Sequence, residues 1–198
     1  MEYIIHLQKD KKLSGIIAQP VQPLKLHKNI PLRLMASIMS QQLSTKVAKV
    51  IYHRFLTLYG DKEPTHQQVL DTSHEQLRAI GLSNSKVEYV QNVAKFCIEN
   101  KITDKKLSLM NDEEIAGLLT QIKGVGKWTV EMLLMFALGR EDVFSADDFG
   151  IQTAMSKLYK LDLTDKKTTK EKMIRIALKW KPYRTYACLH LWQWKDEK

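Results

Sequence analysis

The hydrophobic residues of this chain recur at helical spacing along almost its whole length, and this periodicity limits the fold more than any other feature of the sequence. A first example is a run at steps of three or four residues, formed by Leu32, Met35, Ala36, Met39 and Leu43. Such steps are the spacing of one face of an α-helix. No two segments show the alternating pattern of paired strands. The sequence therefore predicts an all-α fold of short connected helices.

The chain of 198 residues is long enough for a buried core in one domain or in two small helical lobes. We predict a single domain, residues 1–198, that forms a two-lobed helical bundle. Residues 1–30 include Pro20 and Pro23. We expect this lead-in segment to pack with the C-terminal helices.

The chain is strongly basic, with 31 lysines and arginines against 22 acidic residues and a net charge of +9. A positive field of this size favours polyanions, of which nucleic acid is the most common. Many small proteins are basic without binding nucleic acid. Charge alone therefore leaves both interpretations open.

The two cysteines, Cys97 and Cys188, lie far apart and lack the close spacing of metal-binding motifs. This spacing argues against an iron–sulfur cluster, a zinc site and a disulfide framework, and we predict two buried thiols. The N-terminus lacks the basic and apolar regions of a signal peptide, and no apolar run approaches membrane-spanning length. We expect a cytoplasmic protein, or a nuclear one in a eukaryote, with no membrane contact.

A glycine–valine–glycine triplet, Gly124–Gly126, joins two apolar helical segments. A tight connection between helices needs positive φ, which glycine adopts without strain. Successive N–H groups at such a turn, together with the next helix N-terminus, can hold a phosphate. The flanking Lys123 and Lys127 add positive charge at the same place. A plain helix–helix turn with solvated lysines explains these residues equally well.

Two adjacent carboxylates, Asp147 and Asp148, stand at the start of a predicted helix in an otherwise apolar setting. Helix capping commonly explains one aspartate at such a position, but it does not readily explain two. Farther along, three of the four tryptophans fall within Trp180–Trp194. Any one of them is best explained as a core residue, whereas a dense aromatic group in a basic protein also suits stacking on bases.

Together these features resemble the helix-hairpin-helix DNA glycosylases, and most closely the compact form of the DNA-3-methyladenine glycosylase II group. The matching features are SQQLS at Ser40–Ser44 in the early helix, the glycine hairpin, Asp148 placed 20 residues after Trp128, and the closing segment WKPYRTYACLHLW. The resemblance extends from about Pro31 to Trp194. It implies a cleft between two helical lobes, a monomer, and double-stranded DNA containing alkylated purines as the partner. The implied reaction flips the damaged base out of the duplex and hydrolyses its N-glycosidic bond, leaving an abasic site.

The resemblance makes Asp148 the catalytic residue. Cleavage of an N-glycosidic bond develops oxocarbenium character on the deoxyribose. A carboxylate beside the sugar stabilises that charge and can help to orient the attacking water. We assign Asp147 a capping or supporting role, and one sequence leaves the opposite assignment open.

Trp128 stands where bifunctional relatives carry a nucleophilic lysine, and Lys127 is one residue short of that position. Without an amine no Schiff base forms, so the resemblance implies a monofunctional glycosylase without lyase activity. Trp128, Trp192 and Phe149 match aromatic positions of the alkylpurine pocket, where electron-rich rings can hold a cationic purine. Met132 stands where some relatives place an aromatic residue, which leaves the substrate range open.

When a base is flipped into a pocket, another group must fill the gap that it leaves. The resemblance gives this wedge position to Gln42, with Leu43 as the alternative. Without the resemblance, the glutamines are better explained as an exposed helix surface. Hairpins of this family also bind a monovalent cation, Na⁺ or K⁺, through backbone carbonyls, which here would be those of Thr120, Ile122 and Val125. We expect no other cofactor.

Three other interpretations compete with this one. A sister glycosylase for oxidised or mispaired bases is disfavoured by the missing iron–sulfur cysteines and by Trp128. A non-catalytic helix-hairpin-helix module would use the same hairpin and the same basic charge, but it needs neither Trp128 nor Asp148. A helical protein–protein scaffold would not explain a glycine hairpin beside lysines.

Overall fold

The computed structural model describes residues 1–196, except for the side chain of Thr45. Over these residues the chain forms α-helices, one short 3₁₀-helix and no β-strand, which confirms the predicted all-α class. The 3₁₀-helix is Leu178–Trp180. In chain order the α-helices are α1 (Glu2–Leu7), α2 (Lys11–Ser14), α3 (Ile30–Ser40), α4 (Thr45–Thr57), α5 (His66–Asp71), α6 (His74–Ala79), α7 (Asn84–Glu99), α8 (Asp104–Leu109), α9 (Asp112–Leu119), α10 (Lys127–Phe136), α11 (Phe149–Tyr159), α12 (Lys166–Ala177) and α13 (Arg184–Asp196).

The chain divides into two compact units. The central unit comprises Leu26–Leu138, and the discontinuous unit comprises Met1–Lys25 together with the chain from Gly139 onward. The discontinuous unit therefore contains both ends of the described chain, joined by contacts between residues far apart in sequence.

Helix α3 is the structural centre of the central unit, because it packs against α4, α7 and α10. The side chain of Asn29 caps its first turn. The carboxylate of Asp104 accepts the backbone N–H groups of Asn29 and Ile30 at 2.7 and 2.8 Å. The apolar side chains of α3 are buried, among them Leu34 and Ile38. The polar caps thus fix where α3 begins, and the buried side chains fix which of its faces packs into the core.

Helix α3 ends at Ser40, earlier than the periodicity predicts. The next two residues form a turn in which Gln42 has a left-handed φ of 58°. Helix α4 begins after Ser44, whose side chain caps it. The prediction that Ser40–Ser44 belongs to the early helix therefore holds for Ser40 and is wrong for the four residues after it, because the Ser44 cap starts a second helix instead of extending the first. We call Ser40–Ser44 the wedge turn.

Aromatic and polar contacts hold the N-terminal segment of the discontinuous unit to its C-terminal helices. The ring of Tyr3 stacks on that of Tyr186, with centroids 4.1 Å apart. The carboxylate of Asp10 accepts hydrogen bonds from the hydroxyl of Tyr159 at 2.9 Å and from Nε1 of Trp180 at 3.2 Å. Because Trp180 is completely buried, its N–H needs a partner inside the protein, and Asp10 provides it.

Both cysteines, Cys97 and Cys188, are buried and free, as predicted. Burial raises the pKa of the Cys97 thiol to about 12. Among the described residues, no helix combines the length and the apolar character that a crossing of the bilayer requires.

Candidate active site

The glycine triplet forms the turn of a helix-hairpin-helix motif between α9 and α10 in the central unit. Gly124 has a positive φ of 99°, and a Cβ built there would lie 2.1 Å from Cγ of Tyr89. Val125 is buried, and its N–H donates to the carbonyl of Ile122 at 3.0 Å. Only glycine therefore fits at position 124, because both the backbone conformation and the ring of Tyr89 exclude a side chain.

The second hairpin glycine does not supply the positive φ that we predicted for this turn. Gly126 has a φ of −92°, which any residue adopts, and it is the N-cap of α10 without a side-chain hydrogen bond. A Cβ at this position would meet nothing within 4 Å. The first N–H groups of α10 therefore begin at an exposed surface without a side-chain cap, which is the arrangement that binds anions at helix N-termini.

The two hairpin lysines are exposed but already paired with acidic residues. Nζ of Lys123 lies 2.7 Å from Oε1 of Glu88, and this hydrogen bond raises the pKa of Lys123. Nζ of Lys127 lies 3.7 Å from Oε1 of Glu131, one helical turn along α10. The Lys123–Glu88 pair is exposed on both sides and therefore weak, so Lys123 can exchange its partner for a phosphate. Lys127 is itself exposed, but its partner Glu131 is buried.

Asp148 is the N-cap of α11 in the discontinuous unit. Its Oδ1 accepts the N–H of Ile151 at 2.8 Å and Nε1–H of Trp192 at 2.8 Å. The capping role thus belongs to Asp148, not to Asp147 as we predicted. Asp147 instead pairs with Nζ of Lys170 at 2.5 Å on the surface. The two neighbouring carboxylates are therefore distinguished by what they contact.

A glycine that sequence analysis missed makes room for this arrangement. A Cβ on Gly150 would lie 3.0 Å from Oδ1 of Asp148, 3.0 Å from Cδ1 of Trp192 and 3.1 Å from its Nε1. These distances are shorter than ordinary van der Waals contact. The available signal was a glycine in the first turn of a helix, a costly position that indicates a packing reason.

Two of the four predicted pocket residues, Trp128 and Met132, line one cavity of about 470 Å³ in the central unit. Sequence analysis missed the polar side chains on α3 and α4 that also line it, Arg33, Ser37, Lys49 and Tyr52. Burial raises the pKa of Tyr52. The Nε–H of Arg33 is buried and has no acceptor among the described residues. Arg33, which is the only charged residue of helix α3, was the signal that could have found this wall.

The other two predicted pocket residues belong to the discontinuous unit. Trp192 contacts Asp148 as described above, whereas the ring of Phe149 is 79% exposed at the first residue of α11. The structure thus joins Asp148 with Trp192 in one unit, and Trp128 with Met132 in the other.

The predicted wedge residues, Gln42 and Leu43, are both exposed on the wedge turn. The turn itself is held from within the central unit. Nε2 of Gln41 donates to Oγ1 of Thr129 at 3.1 Å, so the residue before the wedge position contacts the residue after Trp128. The sequence could not reveal this link, since its partners are 88 residues apart.

The carbonyls of Thr120, Ile122 and Val125 lie in the hairpin connection. The carbonyl of Ile122 accepts one hydrogen bond, from Val125, and its second lone pair can serve an ion. Thr120 is the C-cap of α9, where carbonyls lack intrahelical donors. Backbone carbonyls of this kind are oxygen donors of the type that such an ion takes, and the Na⁺ or K⁺ site stays a prediction. In the described part of the chain, no group of His, Cys, Asp and Glu side chains is arranged to hold another metal.

Comparisons with known proteins show similarity over almost the whole chain. The family described as HhH-GPD superfamily base excision DNA repair protein matches residues 35–182. DNA-3-methyladenine glycosylase 1 of Schizosaccharomyces pombe is 36% identical over 162 residues, which cover 81% of this chain and 70% of that protein. Putative DNA-3-methyladenine glycosylase YfjP of Bacillus subtilis is 32% identical over 200 residues, which cover 98% of this chain and 69% of that protein. The solved structure of the S. pombe 3-methyladenine DNA glycosylase Mag1 in complex with abasic DNA has a TM-score of 0.86 and 32% identity, covering 98% of this chain and 96% of that one.

Proposed function

This chain belongs to the HhH-GPD superfamily of base excision DNA repair proteins, and we propose that it is a DNA-3-methyladenine glycosylase that removes alkylated purines from duplex DNA without lyase activity. The observation that carries this proposal is the carboxylate of Asp148, held by the N–H of Ile151 and the indole N–H of Trp192. The names of its relatives, which are 3-methyladenine glycosylases, support the same activity.

The reaction breaks the bond between C1′ of the deoxyribose and the purine nitrogen. The electron pair of this bond leaves with the base, so a cationic N-alkylated purine departs as a neutral molecule. Positive charge then develops on the sugar, where the carboxylate of Asp148 stabilises it. Water adds to C1′ and loses a proton, and the products are the free base and an abasic site. Two fixed N–H donors hold the carboxylate in position before the base arrives.

Trp128 determines what the enzyme does after the base has left. An indole is not a nucleophilic amine, so it forms no Schiff base with the abasic sugar, and the strand stays intact. Its ring lines the cavity with Met132 and can contact a cationic purine through its π face. We propose that the hairpin holds the DNA backbone, that Gln42 or Leu43 fills the gap in the duplex, and that one copy of the protein suffices.

The experiment that tests the proposal is release of free base from methylated duplex DNA, with the released base identified by mass spectrometry. We expect 3-methyladenine and an intact abasic strand that breaks only after alkali. Borohydride should trap no covalent protein–DNA adduct. A trapped adduct would refute the monofunctional assignment, and no release of any alkylated base would refute the activity.

Replacement of Trp128 by alanine separates its proposed role from a purely structural one. If the ring holds the base, Trp128→Ala should slow release of cationic purines more than it weakens binding to abasic DNA. If the ring only fills the core, the variant should lose stability and both functions together, at a cost of about 3–5 kcal/mol. Thermal melting measured beside both DNA assays distinguishes the two results.

A further inference from the structure

We propose that Lys86 is a positioning residue, which holds the wedge turn in the shape that base flipping requires. This inference rests on the proposed function, because it concerns the step that delivers the base to the catalytic carboxylate. Neither the motifs of the sequence nor the hairpin geometry assigns a role to Lys86.

The ammonium group of Lys86 contacts the backbone of the wedge turn and of the helix before it. Nζ donates to the carbonyl of Met39 at 2.9 Å and to that of Gln41 at 2.7 Å. Lys86 itself lies in the first turn of α7 and is partly buried. Burial lowers its pKa, with no carboxylate contributing an opposing shift. Its ammonium group is therefore hydrogen-bonded to backbone carbonyls and not paired with an acidic side chain.

The contact with Gln41 acts directly on the position that enters the duplex. The carbonyl of Gln41 belongs to the peptide group that joins it to Gln42, so the ammonium fixes the plane of that peptide. Gln42 has a left-handed φ of 58°, a conformation that residues other than glycine keep only when their surroundings impose it. Carbonyls at the end of a helix lack the N–H donors of a following turn. Lys86 supplies hydrogen bonds in their place to the carbonyls of Met39 and Gln41.

A second contact restrains the same turn from another side. The side chain of Gln41 donates to Thr129, in the first turn of α10. The turn is thus bound to α7 through its backbone and to α10 through a side chain, while Gln42 and Leu43 remain exposed. This is the arrangement expected for a turn that must keep its shape while its tip is pushed between base pairs, since flipping costs a few kcal/mol of stacking and pairing.

The test compares two duplexes that contain the same alkylated purine. In one the purine is paired, and in the other it faces a stable abasic analogue, which lowers the cost of flipping. Lys86→Met removes the donors and keeps the length of the side chain. We expect its single-turnover rate of base release to fall about tenfold or more on the paired duplex and less than about threefold on the unpaired one. Lys86→Arg, which also donates to two acceptors, should recover most of the rate.

The matched control is Lys106→Met. Lys106 likewise donates to a backbone carbonyl beyond a helix end, that of Asn100 at 3.0 Å, but far from the wedge turn in sequence. We expect its two rates to match those of the wild type. Melting temperature is measured for every variant, so that a folding defect is recognised as such.

Three results would overturn the inference. Equal loss on both duplexes would show a general structural role, unchanged rates would show that the contact is dispensable, and a shallower salt dependence of DNA binding would make Lys86 a phosphate ligand. If the wild type releases no base from either duplex, the proposed function fails first, and that failure is distinct from all three.

Discussion

Two helices that carry the candidate site begin in opposite ways. Helix α10 begins after Gly126, which has no side chain to offer to the first N–H groups. Helix α11 begins after Asp148, whose Oδ1 accepts the N–H of Ile151. Because a helix N-terminus attracts negative charge, the protein supplies that charge itself at α11. At α10 the charge can come from the DNA backbone.

The attraction of a helix N-terminus for negative charge can therefore either orient a carboxylate of the protein or bind an external anion. The residue at the cap decides between the two. At α11 the helix N-terminus orients the carboxylate to which we assign the catalytic role, and Trp192 adds a second donor to the same oxygen. At α10 the exposed cap and the nearby Lys127 suit a ligand that binds and leaves. The following changes test whether the two helix N-termini differ in this way.

The largest expected effect is on catalysis at α11. Asp148→Asn keeps an oxygen that can accept from Ile151 and Trp192, and asparagine is as good an N-cap as aspartate. It removes only the negative charge. Base release should fall about 10²- to 10³-fold, while affinity for abasic DNA is kept. Single-turnover rates and binding isotherms measure the two effects.

Asp147→Asn is the control for that experiment, because Asp147 loses only an exposed ion pair with Lys170. Such pairs contribute about 0–1 kcal/mol, and we expect activity close to that of the wild type. If Asp147→Asn were inactive and Asp148→Asn active, Asp147 would be the catalytic residue and Asp148 only a helix cap.

The two hairpin glycines should respond in different ways to the same substitution. Gly124→Ala places a methyl group against Tyr89 at a positive φ, so it should lower the free energy of unfolding by about 1–3 kcal/mol. Gly126→Ala meets no protein atom and should cost less than about 1 kcal/mol as a poorer cap. It should nevertheless weaken DNA binding, since the methyl group occupies the surface where a phosphate approaches. Denaturant unfolding and DNA titration distinguish the effect on stability from the effect on DNA binding. If Gly126→Ala binds DNA with wild-type affinity, no phosphate binds at the N-terminus of α10.

A smaller effect is expected at Gly150. Gly150→Ala must displace Asp148 or Trp192 by a few tenths of an ångström, which should slow base release by up to about tenfold without loss of stability. Gly117→Ala in α9 is the matched control, since a Cβ there meets nothing within 4 Å. Its rate of base release should equal that of the wild type, and its free energy of unfolding should rise by about 0.5–1 kcal/mol. Equal rates for both variants would show that the fit between Asp148 and Trp192 is not needed.

The smallest effect concerns the lysine beside the hairpin. Glu88 competes with phosphate for Lys123, because the two side chains are paired at 2.7 Å. Glu88→Gln should therefore tighten DNA binding several-fold at low salt, whereas Lys123→Gln should weaken it and reduce the salt slope by about 1. Binding measured across salt concentrations decides this. An unchanged affinity in Glu88→Gln would mean that Lys123 does not reach the DNA.

Local patterns predicted the parts of the fold that depend on neighbouring residues. Periodicity gave the all-α class, and Gly124 gave the hairpin turn, because both follow from the backbone preferences of the residues involved. The end of α3 was missed although Ser44 is a local signal for the start of α4. The other contact at this end comes from Lys86, which is 45 residues from Gln41 in the chain. A distant ammonium group that binds helix carbonyls leaves no local signal.

The candidate site likewise combines features that local sequence predicted with features that depend on contacts between distant residues. Asp148 became the expected catalytic residue through the resemblance, and this assignment stays a prediction. The choice between Asp147 and Asp148 as the helix cap depended on the path of the backbone. The contact between Asp148 and Trp192 joins residues 44 positions apart, and Gly150 has a purpose only once that contact is known. The polar wall formed by Arg33 and its neighbours likewise required the packing of α3 on α4 and α10.

The burial of both thiols also bears on how the protein would respond to the chemicals that create its proposed substrates. Alkylating agents attack thiolates readily, but burial raises the pKa of Cys97 to about 12, and Cys188 has no exposed surface. We therefore expect neither thiol to be open to attack in the folded protein. We expect the folded protein to keep its activity after exposure to such agents. Mass spectrometry after exposure to a methylating agent should find cysteine adducts in the unfolded protein only. Adducts at Cys97 in the native protein would show that this protection fails.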